Sequence, residues 1–482
     1  MINFKVILNV LGILLVALSA LMLFPFIADI IKNNSTSLSF LTSLAINLSI
    51  GIALILSTRE ETNKKLVMQD AFLLTTLSWI TICLFGSLPF YLSDLGFTFT
   101  DSIFESMSGV TTTGSSIIQN VEIMTEGILI WRAILQWIGG VGIIVMAISV
   151  LPILKVGGMQ VFRTESSDTT EKILPKTTQI ASAVIIIYLI LTFSCLIFYW
   201  IFGSFFDALT HAMTTIATGG FSTKNESFAA FNINGLEYIS CFFMVLSSLP
   251  ILIYLDVGKG NLKNILRDKQ VTTFLYIISF SAILVIVYLW LNGIKNFEES
   301  VRLGLFNVIS IITGTGYTTD NFNLWGPFPI YLLFFGMFIG GCAGSTTCGI
   351  KIFRFQILFE TLKNQIQKLL HPHGVFVPHY NHKKLENEVT TSVMGFFFVF
   401  ILSFIVITLL LSMTQLDFVT SLSAAATSLA NVGPGLGNMI GPESSFYEVP
   451  ILAKWILIFS MLLGRLELLT VLVIFLPAFW KK

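Results

Sequence analysis

The sequence predicts an all-α polytopic membrane protein with four span–short helix–span repeats in a pseudo-fourfold arrangement, after two additional N-terminal spans. Three observations support this fold class. Charged residues make up only 11% of the 482 residues and apolar residues 55%, whereas soluble globular chains carry about 25% charged residues. Ten apolar runs have roughly the 20 residues that cross a bilayer. Four glycine-containing stretches recur at a period of about one hundred residues.

The ten predicted spans follow the apolar runs in chain order: 6–30, 38–57, 70–93, 127–154, 179–202, 235–256, 271–292, 328–350, 389–413 and 450–479. The first run stays apolar to Ile31, too long for a signal peptide, so we expect a retained span. Shorter half-apolar segments at 99–112, 205–218, 300–314 and 417–431 cannot span, and we interpret them as re-entrant helices. Such segments survive at membrane depth only when they are buried in protein or line a cavity.

The positive charges predict the direction of the spans. With the N-terminus inside, 20 of the 27 Lys and Arg residues fall in cytoplasmic segments. This positive-inside bias favours two cytoplasmic termini. Lys plus Arg and Asp plus Glu both number 27, so the net charge gives no sign of a nucleic-acid partner.

The repeat is defined by four glycines, Gly114, Gly220, Gly316 and Gly433. Six residues before each glycine lies a hydroxyl residue: Ser108, Thr214, Ser310 and Thr427. The two residues directly before each glycine complete the candidate ion-binding set: Thr112, Thr113, Thr218, Gly219, Gly314, Thr315, Asn431 and Val432. The chain then divides into 1–66 with two N-terminal spans and four repeats at 67–176, 177–270, 271–386 and 387–482. A single stretch of this kind is usually a packing or turn glycine, but four in register argue for a shared role.

This pattern suits a monovalent cation. Backbone carbonyls can replace the hydration oxygens of such an ion, and glycine permits the unusual backbone angles that this requires. Four helices whose C-terminal ends meet at the centre add a partly negative potential. The four stretches contain no formal charge, whereas an anion pore is expected to have Lys or Arg there.

These residues resemble the Trk/Ktr superfamily of bacterial potassium transporters, and the two extra spans fit its TrkH branch. The resemblance covers essentially the whole chain and lies in six motifs: Thr111 to Ser116, Ala217 to Ser222, Gly314 to Thr318, Asn431 to Gly437, Gly340 to Thr347 and Gly464 to Glu467. The chain departs from a regular repeat at Ser115, which is not aromatic, and at Pro434. Cys348 lies within the glycine-rich stretch, at a position where a glycine would fit the pattern.

The resemblance implies a pore-forming subunit for potassium and rubidium uptake across the bacterial inner membrane, with no organic cofactor in this chain. K⁺ would bind a selectivity filter of backbone carbonyls from the four stretches. The family is a homodimer with one pore per subunit, gated under the control of a cytosolic TrkA-like ring that binds nucleotide. Membrane lipid is the other expected partner.

The gating candidates lie below the filter. Glycine costs roughly 1 kcal/mol in a helix interior, so a cluster should unwind the span that contains Gly340, Gly341, Gly344, Ser345, Thr346, Thr347 and Gly349. By resemblance this loop obstructs the path; the alternative is a flexible contact between helices. Arg465 lies within an apolar run, where a charge costs about 2.5–3.5 kcal/mol. It either places positive charge in the pore or forms a structural ion pair.

Other polar residues receive structural interpretations. Lys454 and Arg132 are expected at the membrane interface, and His211 is expected to be packed or hydrogen-bonded. The cluster His371, His373, His379 and His382 matches no strong zinc pattern, so a solvated linker or docking surface is preferred to a metal site.

Two other functions remain open. No phosphate-binding loop, zinc-protease motif or nucleophile elbow occurs in the sequence, which disfavours a pump that hydrolyses ATP itself. An ion-coupled secondary transporter of another cation or a small solute also uses broken helices, but generally in two inverted halves. An intramembrane enzyme would need a catalytic pair, and Arg465 with His211 is not one.

Overall fold

The computed structural model describes residues 2–59, 67–149, 158, 177–261, 263–381 and 383–481. Nearly all of the regular structure in these residues is α-helical. Seven described helices are long and apolar enough to cross a membrane, or eight if one bent pair counts as a single span. The chain is therefore an integral membrane protein of the predicted fold class. Residues 150–157 and 159–176, at and beyond the end of the fourth predicted span, lie outside the described residues, as does His382.

The N-terminal part forms a tight antiparallel helix pair. Helices Phe4–Leu21 and Leu23–Lys32 form the first apolar span, and Ser37–Thr58 returns against it. A Cβ added at Gly12 would lie 2.9 Å from the carbonyl oxygen of Gly51, and the reverse distance is also 2.9 Å. Small residues thus allow the two backbones to approach closely, as in many membrane helix pairs.

Four similar units follow, each with a leading helix, a short helix and a return helix. The leading helices are Met68–Gly86 (followed by Leu88–Tyr91), Thr177–Trp200, Lys269–Leu291 and Asn387–Ser412. The short helices are Phe99–Val110, Phe205–Ile216, Phe297–Ile312 and Phe418–Ala430. The return helices are Glu126–Ser149, Asn234–Ser247, Pro327–Gly336 and Ile451–Arg465. A 3₁₀ turn precedes each return helix: Val121–Ile123, Ser227–Phe231, Phe322–Leu324 and Phe446–Glu448.

Each short helix begins at a side-chain N-cap. The caps accept the N–H of the third helical residue at 2.9–3.2 Å and are Thr98, Ser204, Asn296 and Asp417. Such caps satisfy one of the free N–H groups at a helix start. In the first two units the third residue is an acid, Asp101 or Asp207, and each lies thirteen residues before the glycine of its repeat.

Two predicted spans are interrupted and a third bends, which accounts for seven continuous apolar spans where ten were predicted. Residues 235–256 form the return helix Asn234–Ser247 and a separate turn of helix, Ile253–Gly258, with Pro250 between them. Pro250 has no N–H to continue the helix, and the carbonyls of Ser247 and Ser248 accept hydrogen bonds from the segment 342–346 instead. Residues 328–350 unwind after Gly336, as their glycines predict, and helix Ile352–Leu370 starts beyond the break.

The last predicted span, 450–479, bends sharply. Ile451–Arg465 and the following segment Leu469–Phe475 lie at 108° to each other, and the chain ends in helix Pro477–Trp480. Helix Leu469–Leu472 and the turn Val473–Phe475 form this segment.

Short helix Lys263–Arg267 and the two-stranded antiparallel hairpin of His379–Tyr380 and Lys383–Lys384 complete the elements.

Candidate functional site

The four glycine loops, residues 112–114, 218–220, 314–316 and 431–433, share one backbone conformation. The first and third residues of each loop have positive φ. The first-position values are 52° at Thr112, 51° at Thr218, 71° at Gly314 and 53° at Asn431, and the glycine values are 85°, 80°, 80° and 109° in chain order. Left-handed φ costs an ordinary L-residue about 1–2 kcal/mol. Thr112, Thr218 and Asn431 hold it because the surrounding packing fixes it.

The four hydroxyl residues that lie six positions before each glycine connect each short helix to its glycine loop. The N–H of the middle loop residue donates to the carbonyl of the hydroxyl residue in all four units: Thr113 to Ser108, Gly219 to Thr214, Thr315 to Ser310 and Val432 to Thr427, at 2.9–3.0 Å. The loops are thus anchored to the C-terminal ends of the short helices, where carbonyls lack helical partners.

The glycine loops close into a ring. A Cβ built on Gly114 would lie 2.2 Å from the carbonyl oxygen of Gly219, and one on Gly220 would lie 2.0 Å from that of Thr315. A Cβ on Gly316 would lie 1.9 Å from the oxygen of Val432. A Cβ on Gly433 would lie 2.9 Å from that of Thr113, which returns to the first loop. Each loop therefore packs its glycine against the middle carbonyl of the next loop, and only glycine fits.

Polar side chains stabilise the ring through hydrogen bonds to its loops. Gln136 on the first return helix donates to the carbonyl of Gly219 at 2.6 Å and accepts from the N–H of Phe221 at 3.1 Å. Asn431 donates to the hydroxyl of Thr113 at 2.9 Å, and the hydroxyl of Ser115 donates to the carbonyl of Gly433 at 2.9 Å. The sequence analysis missed Gln136 because a lone glutamine in an apolar run has no distinctive spacing.

Ion pairs brace the helices around the ring, within the first unit and between neighbouring units. Arg132 pairs with Glu105 at 2.7 Å and donates to the carbonyl of Ser222. Two further pairs are Lys454–Asp101 at 2.7 Å and Arg302–Glu237 at 2.8 Å. The expectation that Arg132 and Lys454 lie at the membrane interface is wrong, because they are only 2% and 5% exposed. Their carboxylate partners lie on other helices, 27 residues away for Arg132 and 353 for Lys454, so composition alone could not reveal them.

The glycine-rich loop, residues 337–351, runs through the interior between the third return helix and helix Ile352–Leu370. Its two ends meet at a single parallel bridge between Ile339 and Ile350. Its tip is tied to the second return helix, since the N–H of Cys342 donates to the carbonyl of Ser248 at 3.1 Å and Thr346 to that of Ser247. Positive φ at Gly344 (75°) and Gly349 (70°) explains why glycine occupies these two positions.

Close packing explains other glycines of this loop. A Cβ at Gly340 would lie 2.0 Å from the carbonyl oxygen of Cys348, and one at Gly341 would lie 2.7 Å from the hydroxyl of Thr347. The hydroxyls of Ser345 and Thr347 lie 2.8 Å apart. Cys348 Sγ lies 3.5 Å from the hydroxyl of Thr112, so the loop abuts the first glycine loop.

Arg465 is buried at the end of the last return helix, at 2% exposure. Its guanidinium donates to the carbonyls of Thr346 at 3.2 Å and Gly139 at 2.9 Å, and contacts Cys348 Sγ. Among the described residues, no carboxylate forms an ion pair with it. The Arg465 charge is therefore held by backbone carbonyls next to the glycine-rich loop.

Glu467 lies just beyond the end of the last return helix and pairs with Arg354 at 2.5 Å. This pair links the last span to the helix that follows the glycine-rich loop. Glu467 and Leu468 have positive φ, 62° and 26°, which places backbone strain at the 108° bend.

Two cavities adjoin the glycine ring and the glycine-rich loop. The larger, of about 100 Å³, is lined by all four ring glycines and by Pro434. The smaller, of about 20 Å³, is lined by Ser345, Cys348 and Arg465 among others. They share no lining residue within the described ranges.

His211 and the cluster His371, His373, His379 and His382 are the two histidine sites considered from the sequence. His211 is buried and hydrogen-bonded, as expected: Nδ1 lies 2.8 Å from the carbonyl oxygen of Asp207 and Nε2 lies 2.9 Å from the hydroxyl of Ser222. Because a carbonyl only accepts, Nδ1 carries the proton in the neutral ring. Among the described residues, no group of three or more His, Cys, Asp or Glu residues could hold a metal ion.

Known proteins resemble this chain over its full length. The family model for TrkH, a cation transport protein, matches residues 36–482. The Trk system potassium uptake protein TrkI of Halomonas elongata is 42% identical over 479 residues, covering 99% of this chain and 97% of the relative. The Trk system potassium uptake protein TrkH of Escherichia coli K12 is 34% identical, with both chains fully covered.

The structural comparison agrees. The crystal structure of the potassium transporter TrkH from Vibrio parahaemolyticus has a TM-score of 0.92 and 33% identity, and the match covers both chains completely. These relatives are named as transporters and not as enzymes. The chain belongs to the TrkH family of cation transport proteins.

Proposed function

We propose that this protein takes up potassium, and rubidium as its close analogue, through a channel-like pore across the bacterial inner membrane. The observation that carries the proposal is the closed ring of four glycine loops. Relatives at 34–42% identity are named as potassium uptake proteins, which supports potassium as the ion.

The selectivity filter in this proposal consists of the twelve residues of the glycine loops: Thr112, Thr113, Gly114, Thr218, Gly219, Gly220, Gly314, Thr315, Gly316, Asn431, Val432 and Gly433. Rings of backbone carbonyls can replace the hydration shell of K⁺. The ends of the four short helices, anchored to these loops, add partial negative charge without a carboxylate. Left-handed φ at the first and third positions gives the peptide planes of each loop an orientation that a regular right-handed helix does not have.

The closed gate in this proposal is the glycine-rich loop together with Arg465. Its gating residues are Gly340, Gly341, Gly344, Ser345, Thr346, Thr347 and Gly349. The loop abuts the first glycine loop through Cys348 and Thr112, and Arg465 adds a buried positive charge there. A positive charge close to the path opposes cation passage, since unit charges 4 Å apart interact by about 4 kcal/mol at an effective dielectric of 20.

The larger assembly in this proposal is a homodimer with one pore per subunit, both termini in the cytoplasm and membrane lipid around it. The relatives belong to a Trk system by name, which supports other Trk components as partners. The finer proposal is a cytosolic TrkA-like nucleotide-binding ring that controls the gate. The four repeats are 67–176, 177–270, 271–386 and 387–482, after the N-terminal unit 1–66.

Rubidium uptake into liposomes tests the proposal. The purified protein alone is reconstituted, and ⁸⁶Rb⁺ uptake is competed with potassium, sodium or lithium. We expect a low resting flux that rises when residues 341–347 are deleted, with potassium competing far better than sodium. If neither the intact protein nor the deletion variant passes rubidium while both remain folded, the pore is refuted. An ion-coupled secondary transporter of another cation or small solute is then the better explanation.

A further inference from the structure

Cys348 occupies the point where the glycine-rich loop meets the ring. Its Sγ lies 3.5 Å from the hydroxyl of Thr112 and 3.9 Å from the carbonyl oxygen of Thr111. Its backbone nitrogen lies 3.7 Å from where a Cβ on Gly314 would stand. The residue is 7% exposed. Cys348 thus contacts the first glycine loop and lies close to the third.

The same sulfur also contacts Arg465. One guanidinium nitrogen of Arg465 donates to Cys348 Sγ, beside the bonds to the carbonyls of Thr346 and Gly139. Arg465 Nε has no hydrogen-bond partner among the described residues. A buried charged donor without a hydrogen-bond partner costs free energy. The guanidinium therefore depends on the few acceptors that it reaches here. Among the described residues, Cys348 is one of three hydrogen-bond acceptors of this guanidinium, which also lies over the Trp79 ring.

We propose that Cys348 is a positioning residue that latches Arg465 to the first glycine loop and so holds the gate closed. The inference rests on the proposed function and adds to it a residue that the repeat pattern does not contain. The sulfur accepts from Arg465 on one side and lies against Thr112 on the other. The latch therefore joins three parts of the chain: the last return helix, the glycine-rich loop and the first glycine loop.

The side chain at position 348 sets the strength of this latch. Alanine removes the acceptor and leaves the guanidinium with two carbonyls. Serine keeps an acceptor, and a hydroxyl also donates, so it can satisfy both Arg465 and Thr112. The latch predicts that alanine loosens the gate and serine does not, although both substitutions remove the thiol.

Resting rubidium flux through the full-length protein without partners tests the latch. We expect Cys348→Ala to raise the resting flux about tenfold, equivalent to about 1.4 kcal/mol, and Cys348→Ser to stay within about twofold of the unchanged protein. Cys241→Ala is the matched control, because Cys241 is a buried free cysteine on the second return helix, away from the loop. It should leave the flux unchanged. Size-exclusion profiles exclude misfolded variants.

A double variant separates positioning from simple packing. If Cys348 acts through Arg465, then Cys348→Ala combined with Arg465→Ala conducts no more than Arg465→Ala alone. The latch is overturned if the two effects multiply, or if Cys348→Ala stays closed while Arg465→Ala conducts. If Arg465→Ala and the 341–347 deletion also pass no rubidium, the proposed pore fails, and the latch fails with it.

Discussion

Replacing Gly316 with alanine tests whether the close packing of the glycine ring sets ion selectivity. The new Cβ would stand 1.9 Å from the carbonyl oxygen of Val432, about 1.5 Å short of the 3.4 Å at which ordinary contact begins. Functional geometry is generally held within about 0.5 Å, so the fourth loop must move by more than the ring tolerates. Left-handed φ adds about 1–2 kcal/mol of backbone cost.

Gly96→Ala separates these two effects. Gly96 has φ of 81°, against 80° for Gly316, but a Cβ there meets nothing within 4 Å. Both variants therefore carry the backbone cost, and only Gly316→Ala carries the overlap.

The assay is rubidium uptake in liposomes, competed with potassium and sodium, on a background that lacks residues 341–347. We expect Gly316→Ala to lower the preference for potassium over sodium at least tenfold, about 1.4 kcal/mol. Gly96→Ala should keep the preference and lose only thermal stability. A folded Gly316→Ala protein with unchanged preference would refute the reasoning that the ring selects the ion.

Three further predictions concern stability, measured as thermal unfolding in detergent. Lys454→Met should destabilise the protein by about 3–5 kcal/mol, because it leaves Asp101 buried without its partner, and adding Asp101→Asn should restore most of the loss; equal unfolding of single and double variants contradicts this. Asn296→Ala should cost about 1 kcal/mol through the lost N-cap, whereas no change would mean that packing alone fixes the helix start. Hydrogen bonds from Thr420 lower the pKa of Asp417, so its stabilisation is present above the usual Asp pKa and lost as pH falls through the folded value. Asp417→Asn should accordingly show less acid sensitivity than the unchanged protein, and identical acid profiles would argue against this linkage.

The repeat and its backbone conformation could be predicted from the sequence, because a position that requires positive φ is occupied by glycine in every repeat. Gly114, Gly220, Gly316 and Gly433 stand at matching positions, and the structure gives each of them positive φ. The break after Gly336 was likewise predictable, since clustered glycines weaken a helix. The role of these residues in ion binding and gating stays a prediction.

The interactions that hold the ring were not accessible. Arg132 meets Glu105, and Lys454 meets Asp101, which lies 353 residues earlier in the chain. Such pairs depend on which helices become neighbours, and hydropathy carries no such information. The same holds for the segment 342–346, which bonds the carbonyls left free after the helix that ends at Ser247.

The cyclic contact among the glycine loops has a consequence for how this protein can change. The four quarters of the ring are encoded separately, so one substitution alters one quarter and leaves three intact. In a tetramer of identical subunits, the same substitution would strike all four positions together. Under the proposed filter, a single chain can therefore adjust its preference among ions in small steps. It can keep a departure such as Asn431 or Pro434 in one quarter without imposing it on the others.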